Sequence, residues 1–302
     1  MIDLIYPYSY ITIWFGVLLG IGFTAACTGL FSAALVIICI YLGMIRIMPL
    51  FHFINRLFRG LIPEEISSVE RNIRESFKMS GNTGALRDKG KYIFMWHPHG
   101  VFPTSLYFHT ATSLTDSPNP VKQSKTVAFN NLQWLPFTTE IFHETSIIPS
   151  QYHVMKNALQ EDSISLSPGG MREMIYEDTA LLLRRRGIFK MALETGTPLV
   201  PIISRGEEEL LKAIEIPSWI QDYLKPYDLC VPIPTWKTFM RCLGILQHPL
   251  KDPVVSVIGE PILVEKIEAP TEEQISKLRE KYIEALKTMY LKEIGRELTI
   301  AP

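Results

Sequence analysis

The chain has 302 residues, with 30 lysines and arginines against 31 acidic residues and a formal net charge of -1. This length suffices for one large α/β domain with an appended element, but not for two full catalytic domains. The balanced charge excludes the global basic field that is typical of nucleic-acid binding proteins. The four cysteines occur at no disulfide or metal spacing, which favours a domain that faces the reducing cytosol.

The first element in chain order is a long apolar run. No charged residue occurs between Leu4 and Ile45. A membrane span needs about 20 apolar residues, so the run is too long for one straight helix and long enough for two short ones. The stretch from Thr24 to Gly29 is less apolar and favours a bend. We therefore predict a membrane-embedded helical hairpin over residues 1–47, with one tilted span or a buried core hairpin as alternatives.

Residues 48–88 are predicted to form interfacial and linker helices. The segment from Met48 to Arg59 mixes aromatic and aliphatic residues with basic ones, as helices in a membrane interface do. The arginines that follow the apolar run favour a cytosolic exit of the chain. The segment from Pro63 to Arg87 is polar and helix-prone, so we expect it to connect the membrane part to the rest.

Residues 89–302 alternate short apolar runs with helical patterns, and we assign them to one catalytic domain. The predicted strands are Tyr92–Trp96, Thr126–Phe129, Ser146–Ile148, Ile164–Leu166, Leu199–Ile203 and Val254–Ile258. The predicted helices are Tyr152–Gln160, Arg172–Leu183, Ile188–Thr195 and Thr271–Ile294, the last with Thr271 as its capping residue. Such alternation predicts an α/β fold with a mainly parallel sheet covered by helices. Prolines between Ser218 and Pro253 indicate an irregular insertion.

Two histidines flank a proline in the stretch His97-Pro98-His99-Gly100, directly after a predicted strand. Open α/β sheets usually build their sites at the carboxyl ends of strands. A neutral imidazole can take the proton from an alcohol that attacks a thioester, because its pKa lies near the working pH. The alternatives are two structural loop histidines, or a zinc site, for which no third ligand stands at a familiar spacing.

The stretch from Ser165 to Glu173 runs from a predicted strand through paired glycines into a predicted helix. Paired glycines let the backbone approach a ligand closely, and amides at a helix start could hold an oxyanion or a phosphate. Glu173 could orient a histidine there, and Arg172 could meet a phosphate. The alternative for Glu173 is a favourable charge at a helix N-terminus and nothing more.

Four cations lie between Arg184 and Lys190, at the start of the next predicted helix. They could contact the phosphates of coenzyme A. A charge run of this kind is as often only a solvated helix face, and the residues themselves favour neither interpretation.

These three stretches, in this order, resemble the type-2 diacylglycerol acyltransferase family, a branch of the glycerolipid acyltransferase superfamily. His97 to Gly100 is the family's His-Pro-His-Gly, and Gly169 to Glu173 resembles its Gly-Gly-x-x-Glu. The region from Arg186 to Glu207 resembles its Arg-x-Gly-Phe to Val-Pro to Gly-Glu pattern, and a final helix with Tyr282 also fits. The resemblance covers roughly residues 90 to 295.

The resemblance implies an αβα sandwich anchored by the apolar hairpin in the endoplasmic reticulum membrane, with the catalytic domain facing the cytosol, and a location on the lipid droplet surface as well. It implies an enzyme that transfers a fatty acyl group from acyl-CoA, as co-substrate and without a bound cofactor, to a neutral lipid alcohol. Diacylglycerol is the first acceptor; monoacylglycerol and long-chain alcohols are alternatives. The rival interpretation is a noncatalytic lipid-binding membrane protein, and a homo-oligomer is compatible with either.

The resemblance also implies roles for individual residues. His99 is expected to be the general base, His97 a supporting residue, and Glu173 the carboxylate, because Thr104 stands where the superfamily's His-x4-Asp motif has aspartate. The residues expected to bind substrate are Pro98, Gly100, Pro168, Gly169, Gly170, Arg172, Arg186, Gly187, Phe189 and Lys190, and no metal ligand is expected.

Overall fold

The computed structural model describes residues 76–81, 83–86, 90–98, 103–111, 119–122, 124–129, 147–170, 173, 179–182, 185–207, 213–214, 217, 233–235 and 253–301. The predicted hairpin over residues 1–47 and the interfacial helix that follows it lie outside these residues. Within the described residues, no helix combines the length and the apolar character that crossing a bilayer requires.

A seven-stranded sheet forms the centre of the domain, in the order β1-β10-β7-β2-β5-β3-β4. Its strands are β1 (Phe77–Gly81), β2 (Ile93–His97), β3 (Lys125–Ala128), β4 (Ile147–Pro149), β5 (Ile164–Leu166), β7 (Leu199–Arg205) and β10 (Val254–Ile258). All neighbours pair in parallel except β10 and β7, which are antiparallel. The mixed α/β fold with a mostly parallel sheet is therefore confirmed, and β2 lies at its centre.

Two short pairs of strands and four α-helices complete the described elements. The strand pairs are β6 (Thr179–Leu181) with β11 (Thr299–Ala301), in parallel, and β8 (Ala213–Ile214) with β9 (Ile233–Pro234), antiparallel. The α-helices are α1 (Thr104–Ala111), α2 (Tyr152–Ala158), α3 (Arg186–Thr195) and α4 (Glu272–Ile294), and a 3-10 turn covers Thr83–Ala85.

The side chains of β2 alternate between two apolar layers, as the two-residue period of a strand requires. Ile93 and Met95 pack into the larger cluster, to which α3 and α4 contribute. Phe94 and Trp96 pack into the smaller cluster, which includes Leu106 of α1. Helices therefore cover both faces of the sheet, and the next residue of β2, His97, points to the α4 side.

The C-terminal helix α4 is defined at both ends by local chemistry. The Thr271 side chain accepts a hydrogen bond from the backbone N–H of Gln274, and the Gln274 side-chain oxygen accepts one from the backbone N–H of Thr271. This capping box confirms Thr271 as the capping residue. Gly295 ends the helix in the left-handed region at φ +77°. One face is buried along the whole length, through Ile275, Leu278, Tyr282, Leu286 and Tyr290. This stripe brings Tyr282 against the end of β2.

The strand predictions for Ile164–Leu166 and Val254–Ile258 agree with the structure to the residue. The helix predicted from Arg172 to Leu183 is wrong at its end, because Thr179–Leu181 forms β6. The strand that pairs with β6 comes more than a hundred residues later, at Thr299–Ala301, so no local sequence pattern predicts β6.

Two further elements correct the sequence interpretation. Phe77–Gly81, inside the predicted linker, is the edge strand β1 and pairs with β10, so this part of residues 48–88 belongs to the sheet. Helix α1 was not predicted. Its described side chains, from Thr104 to Thr110, are all buried, so the segment lacks the alternation of apolar and polar faces that marks a surface helix.

Candidate active site

The site begins at His97, the last residue of the central strand. Its side chain is 1 % exposed, and Nε2 lies 3.0 Å from the hydroxyl oxygen of Tyr282 on α4. Burial lowers the pKa of His97 to about 3, so the ring is neutral at ordinary pH. Nδ1 is buried and has no hydrogen-bond partner among the described residues. His97 is therefore a neutral imidazole with one nitrogen engaged and one available.

Tyr282 connects this histidine to the core. Its ring is fully buried and meets Phe189 of α3 edge to face, with ring centroids 5.7 Å apart. Burial raises the pKa of Tyr282 well above its ordinary value, and the negative charge of Glu173 raises it further. The hydroxyl therefore keeps its proton, and Phe189, which is fully buried, supports Tyr282 from the core rather than offering a surface to a substrate.

Glu173 is the buried carboxylate of the site, with 1 % of its surface exposed. Its side chain lies directly against Gly169: a Cβ added there would fall 1.8 Å from the carboxyl carbon of Glu173. Only glycine at position 169 therefore leaves space for the Glu173 side chain. The carboxylate also acts electrostatically on Tyr282, which places Glu173 and the His97–Tyr282 pair in one buried region.

The turn before Glu173 is tied to the central strand. Ser167 Oγ donates to the carbonyl of Trp96 at 3.0 Å, and the amide of Gly170, which sits at φ +61°, donates to the carbonyl of Ser167 at 3.3 Å. Arg185 donates to the carbonyl of Gly169 at 3.2 Å. The Gly170 amide is thus engaged within the turn, and it does not offer its hydrogen to an oxyanion in this arrangement.

The predicted basic cluster divides between several partners. Arg185 binds the glycine turn, as described above. Arg186 forms an ion pair with Glu272, and Lys190 lies 3.7 Å from Glu194. Gly187 is exposed on the same helix. The side chains predicted to meet phosphates at Arg186 and Lys190 therefore lie on an exposed face of α3, apart from the buried group around His97.

A second carboxylate fixes the helix that follows the histidine stretch. Glu207, directly after β7, is 5 % exposed, and its Oε1 accepts a hydrogen bond from the amide of Ser105 at 3.0 Å. This bond satisfies one of the amides that a helix N-terminus leaves without an intrahelical partner. Glu207 therefore anchors α1, and with it the end of the short connection from β2.

Several predicted residues lie outside the described part of the chain, namely His99, Gly100 and Arg172. Pro98 follows His97 through a cis peptide bond, and Pro168 is buried in the glycine turn. Among the described residues, no group of three His, Cys, Asp or Glu side chains is placed to hold a metal ion.

Sequence reasoning did not assign Tyr282 and Arg185 to the site. Tyr282 lies 185 residues after His97, and no local pattern links them. One signal was present: a tyrosine on the buried stripe of a helix needs a partner for its hydroxyl. Arg185 was read only as one of four cations.

The fold and these side chains place a buried polar group at the carboxyl edge of a mostly parallel sheet, where open α/β folds usually build their sites. The diacylglycerol acyltransferase family matches residues 55–296. The chain belongs to this family, and it is an O-acyltransferase. The family resemblance inferred from the three motifs is thereby confirmed.

The sequences of individual relatives support this family assignment. The chain is 30 % identical over 226 residues to mouse 2-acylglycerol O-acyltransferase 1, covering 68 % of this chain and 66 % of that protein. It is 28 % identical over 219 residues to diacylglycerol O-acyltransferase 2 of Dictyostelium discoideum, covering 67 % and 66 %. It is 27 % identical over 232 residues to bovine diacylglycerol O-acyltransferase 2-like protein 6, covering 69 % and 67 %. The chain thus spans about two thirds of the length of these relatives.

Among solved structures, the 1-acyl-sn-glycerophosphate acyltransferase PlsC from Thermotoga maritima is similar with a TM-score of 0.44 and 14 % identity, over 87 % of this chain and 97 % of that one. A likeness this distant carries no argument about the site.

Proposed function

We propose that this enzyme transfers a fatty acyl group from acyl-CoA to the hydroxyl of a neutral lipid, with diacylglycerol as the first acceptor. Monoacylglycerol and long-chain alcohols are the alternative acceptors. The family supports the reaction, and the names of the relatives cover both diacylglycerol and 2-acylglycerol. The observation that carries the proposal is the neutral, buried His97 at the carboxyl edge of the central strand, two residues before His99. It bonds to Tyr282, on which the buried carboxylate of Glu173 also acts.

In this mechanism His99 is the general base. It takes the proton of the acceptor hydroxyl as the oxygen attacks the thioester carbon. Glu173 orients His99 and stabilises the imidazolium that forms, as the carboxylate of a catalytic triad does. The buried position of Glu173 against Gly169 supports this role, because a carboxylate held away from water acts strongly on a neighbouring charge. No cofactor and no acyl-enzyme take part; acyl-CoA is the co-substrate.

The phosphates of acyl-CoA are proposed to meet Arg172 and the cations of α3. Arg186 and Lys190 are about half exposed and paired with carboxylates. The Arg186–Glu272 pair is exposed on both sides, and such pairs are weak, so a phosphate can replace Glu272 at little cost. Gly187, between them, leaves room for the approach. Pro98, Gly100, Pro168 and the two glycines of the turn are proposed to line the acyl group's path.

The N-terminal apolar run is proposed to anchor the catalytic αβα sandwich in the endoplasmic reticulum membrane as a hairpin, with the domain in the cytosol. The absence of charge between Leu4 and Ile45, and the arginines that follow, support this arrangement. Such an anchor would also suit the surface of lipid droplets, and pairing of two chains in the membrane is a further part of the proposal.

The test is ester formation by the full chain reconstituted in phospholipid vesicles. Labelled oleoyl-CoA is added with diacylglycerol, monoacylglycerol, hexadecanol or cholesterol, and the labelled products are separated. We expect labelled triacylglycerol as the main product. A main product from another acceptor would correct the acceptor, and no product from the whole panel would overturn the proposed reaction in favour of lipid binding without catalysis.

A further inference from the structure

We propose that His97 donates a hydrogen bond from Nδ1 to the thioester carbonyl oxygen in the transition state, and that Tyr282 is the positioning residue that selects the required tautomer. This inference rests on the proposed acyl transfer. It gives His97 a defined part in the chemistry and extends the site to helix α4, which sequence reasoning had not connected to it.

The contact between the two side chains determines where the imidazole hydrogen lies. Nε2 of His97 and the hydroxyl oxygen of Tyr282 are 3.0 Å apart in a fully buried position. A neutral imidazole carries one hydrogen, so the bond is either O–H to Nε2 or Nε2–H to oxygen. A phenol is a good donor and a poor acceptor, whereas the bare nitrogen of imidazole is a good acceptor. The O–H to Nε2 arrangement is therefore favoured, and Nδ1 carries the hydrogen.

That Nδ1–H is buried and has no acceptor among the described residues. Leaving a buried donor without a partner is costly, so its presence needs a reason. A substrate carbonyl at the carboxyl edge of β2 supplies the missing acceptor. The gain is largest when the carbonyl oxygen becomes negative, which is the property of an oxyanion donor.

The Gly170 amide of the glycine turn does not serve as the oxyanion donor, so another donor is needed. The amide of Gly170 already donates to the carbonyl of Ser167 at 3.3 Å. A ring nitrogen held by a buried tyrosine is preorganised, as an oxyanion donor must be. Because burial keeps His97 neutral, it does not compete with His99 for the hydroxyl proton.

The step balances without a further reactant. His99 removes the hydroxyl proton while the alcohol oxygen forms a bond to the thioester carbon. The carbonyl electrons move onto oxygen, which accepts the hydrogen bond from His97. When the tetrahedral intermediate collapses, the carbon–sulfur bond breaks and the coenzyme A thiolate takes the proton from His99. Tyr282 keeps its proton throughout.

The first test is Tyr282→Phe, which keeps the ring against Phe189 and removes only the hydroxyl. We expect kcat for ester formation to fall about 10- to 100-fold with KM for acyl-CoA unchanged. The reason is that the hydrogen bond from the oriented Nδ1–H to the carbonyl oxygen contributes mainly in the transition state. The matched control is Tyr290→Phe, at another buried position of the same helix face, for which we expect the kcat of the wild type. A Tyr282→Phe enzyme with unchanged kcat would overturn the inference.

The second test compares two amides at position 97. The side-chain N–H of asparagine falls near the place of Nδ1, whereas that of glutamine falls near Nε2. His97→Asn should therefore keep more of the wild-type kcat than His97→Gln. The reverse order would refute the Nδ1 assignment.

A third measurement does not depend on turnover. In the ¹⁵N spectrum of histidine-labelled protein, the signals absent from His97→Gln belong to His97. We expect a protonated Nδ1 and a bare Nε2; a protonated Nε2 would overturn the inference. A wild-type chain that forms no ester with any acceptor would instead refute the proposed function, so the two failures are distinguishable.

Discussion

Two pairs of tyrosine and glutamate stand in different parts of the fold and differ in what surrounds them. In the first pair, the hydroxyl of Tyr152 on α2 donates to Glu194 of α3 at 2.7 Å. Lys156 reaches the same carboxylate at 2.5 Å, and Lys190 lies 3.7 Å away. The Lys156 contact lowers the pKa of Glu194, and the Tyr152 bond adds to it. The two lysines neutralise the charge of Glu194, and the contacts of this carboxylate join α2 to α3.

The second pair, Tyr282 and Glu173, lies in the buried region at the carboxyl end of β2. Both side chains are buried, and the hydroxyl faces the neutral His97. The charge of Glu173 raises the pKa of Tyr282 further above its ordinary value. A carboxylate held away from water acts strongly on neighbouring charges. We therefore expect the partly exposed Glu194 pair to serve stability and the buried Glu173 pair to serve the proposed chemistry.

The largest effect is expected at the proposed general base, His99. His99→Ala should lower ester formation in vesicles at least about 100-fold, since proton removal from the hydroxyl is lost. The matched control is His153→Ala on α2, an exposed histidine away from the site, which should keep the wild-type rate. Comparable rates for the two variants, at equal membrane insertion, would remove His99 from the mechanism.

Gly169→Ala should damage the second pair sterically. The added Cβ would lie 1.8 Å from the Glu173 carboxyl carbon, so the side chain must move. We expect kcat to fall together with a loss of about 1–3 kcal/mol in the free energy of unfolding. Gly187→Ala is the stability reference: its Cβ would meet only Tyr152, at 3.9 Å, and an exposed helical alanine should hold or raise Tm. Unchanged kcat in Gly169→Ala would show that the position of Glu173 does not matter.

Acid should weaken the fold through its buried histidines. Burial lowers the pKa of His97 to about 3 and that of His109, which stacks on Trp96 in the other apolar layer, to about 4. The unfolded chain binds these protons near pH 6.5, so stability falls as pH drops from about 6.5 towards the folded-state values. Denaturant unfolding at a series of pH values should show this slope, and His109→Gln should reduce it. A slope that persists undiminished would contradict the prediction.

The same contrast explains what could be predicted from sequence. Ile164–Leu166 and Val254–Ile258 were correctly assigned because short apolar runs are the local signature of buried strands. The group around His97 was predicted in part, since the histidine stretch and Glu173 follow strand ends. Tyr282 was not, because its contact with His97 joins residues 185 positions apart. β1 and β6 were missed for a similar reason: their pairing partners are distant in sequence.

The smallest expected change in the comparison is at Glu194. Glu194→Gln keeps the shape of the side chain and removes the charge that holds two lysines. Because those lysines are about half exposed, we expect a loss of only roughly 1 kcal/mol, which lowers Tm by about 2–4 °C in a domain of this size, with kcat unchanged.

The most direct measurement of the central claim is therefore kcat and Tm of Glu173→Gln beside Glu194→Gln, in the same vesicles and with the same acceptor. The first variant should lose about 10- to 100-fold in kcat, because an amide cannot stabilise the imidazolium of His99 as a carboxylate does. The second should lose Tm and keep kcat. The opposite pattern, with kcat lost in Glu194→Gln and kept in Glu173→Gln, would contradict the assignment of the active site to the carboxyl edge of β2.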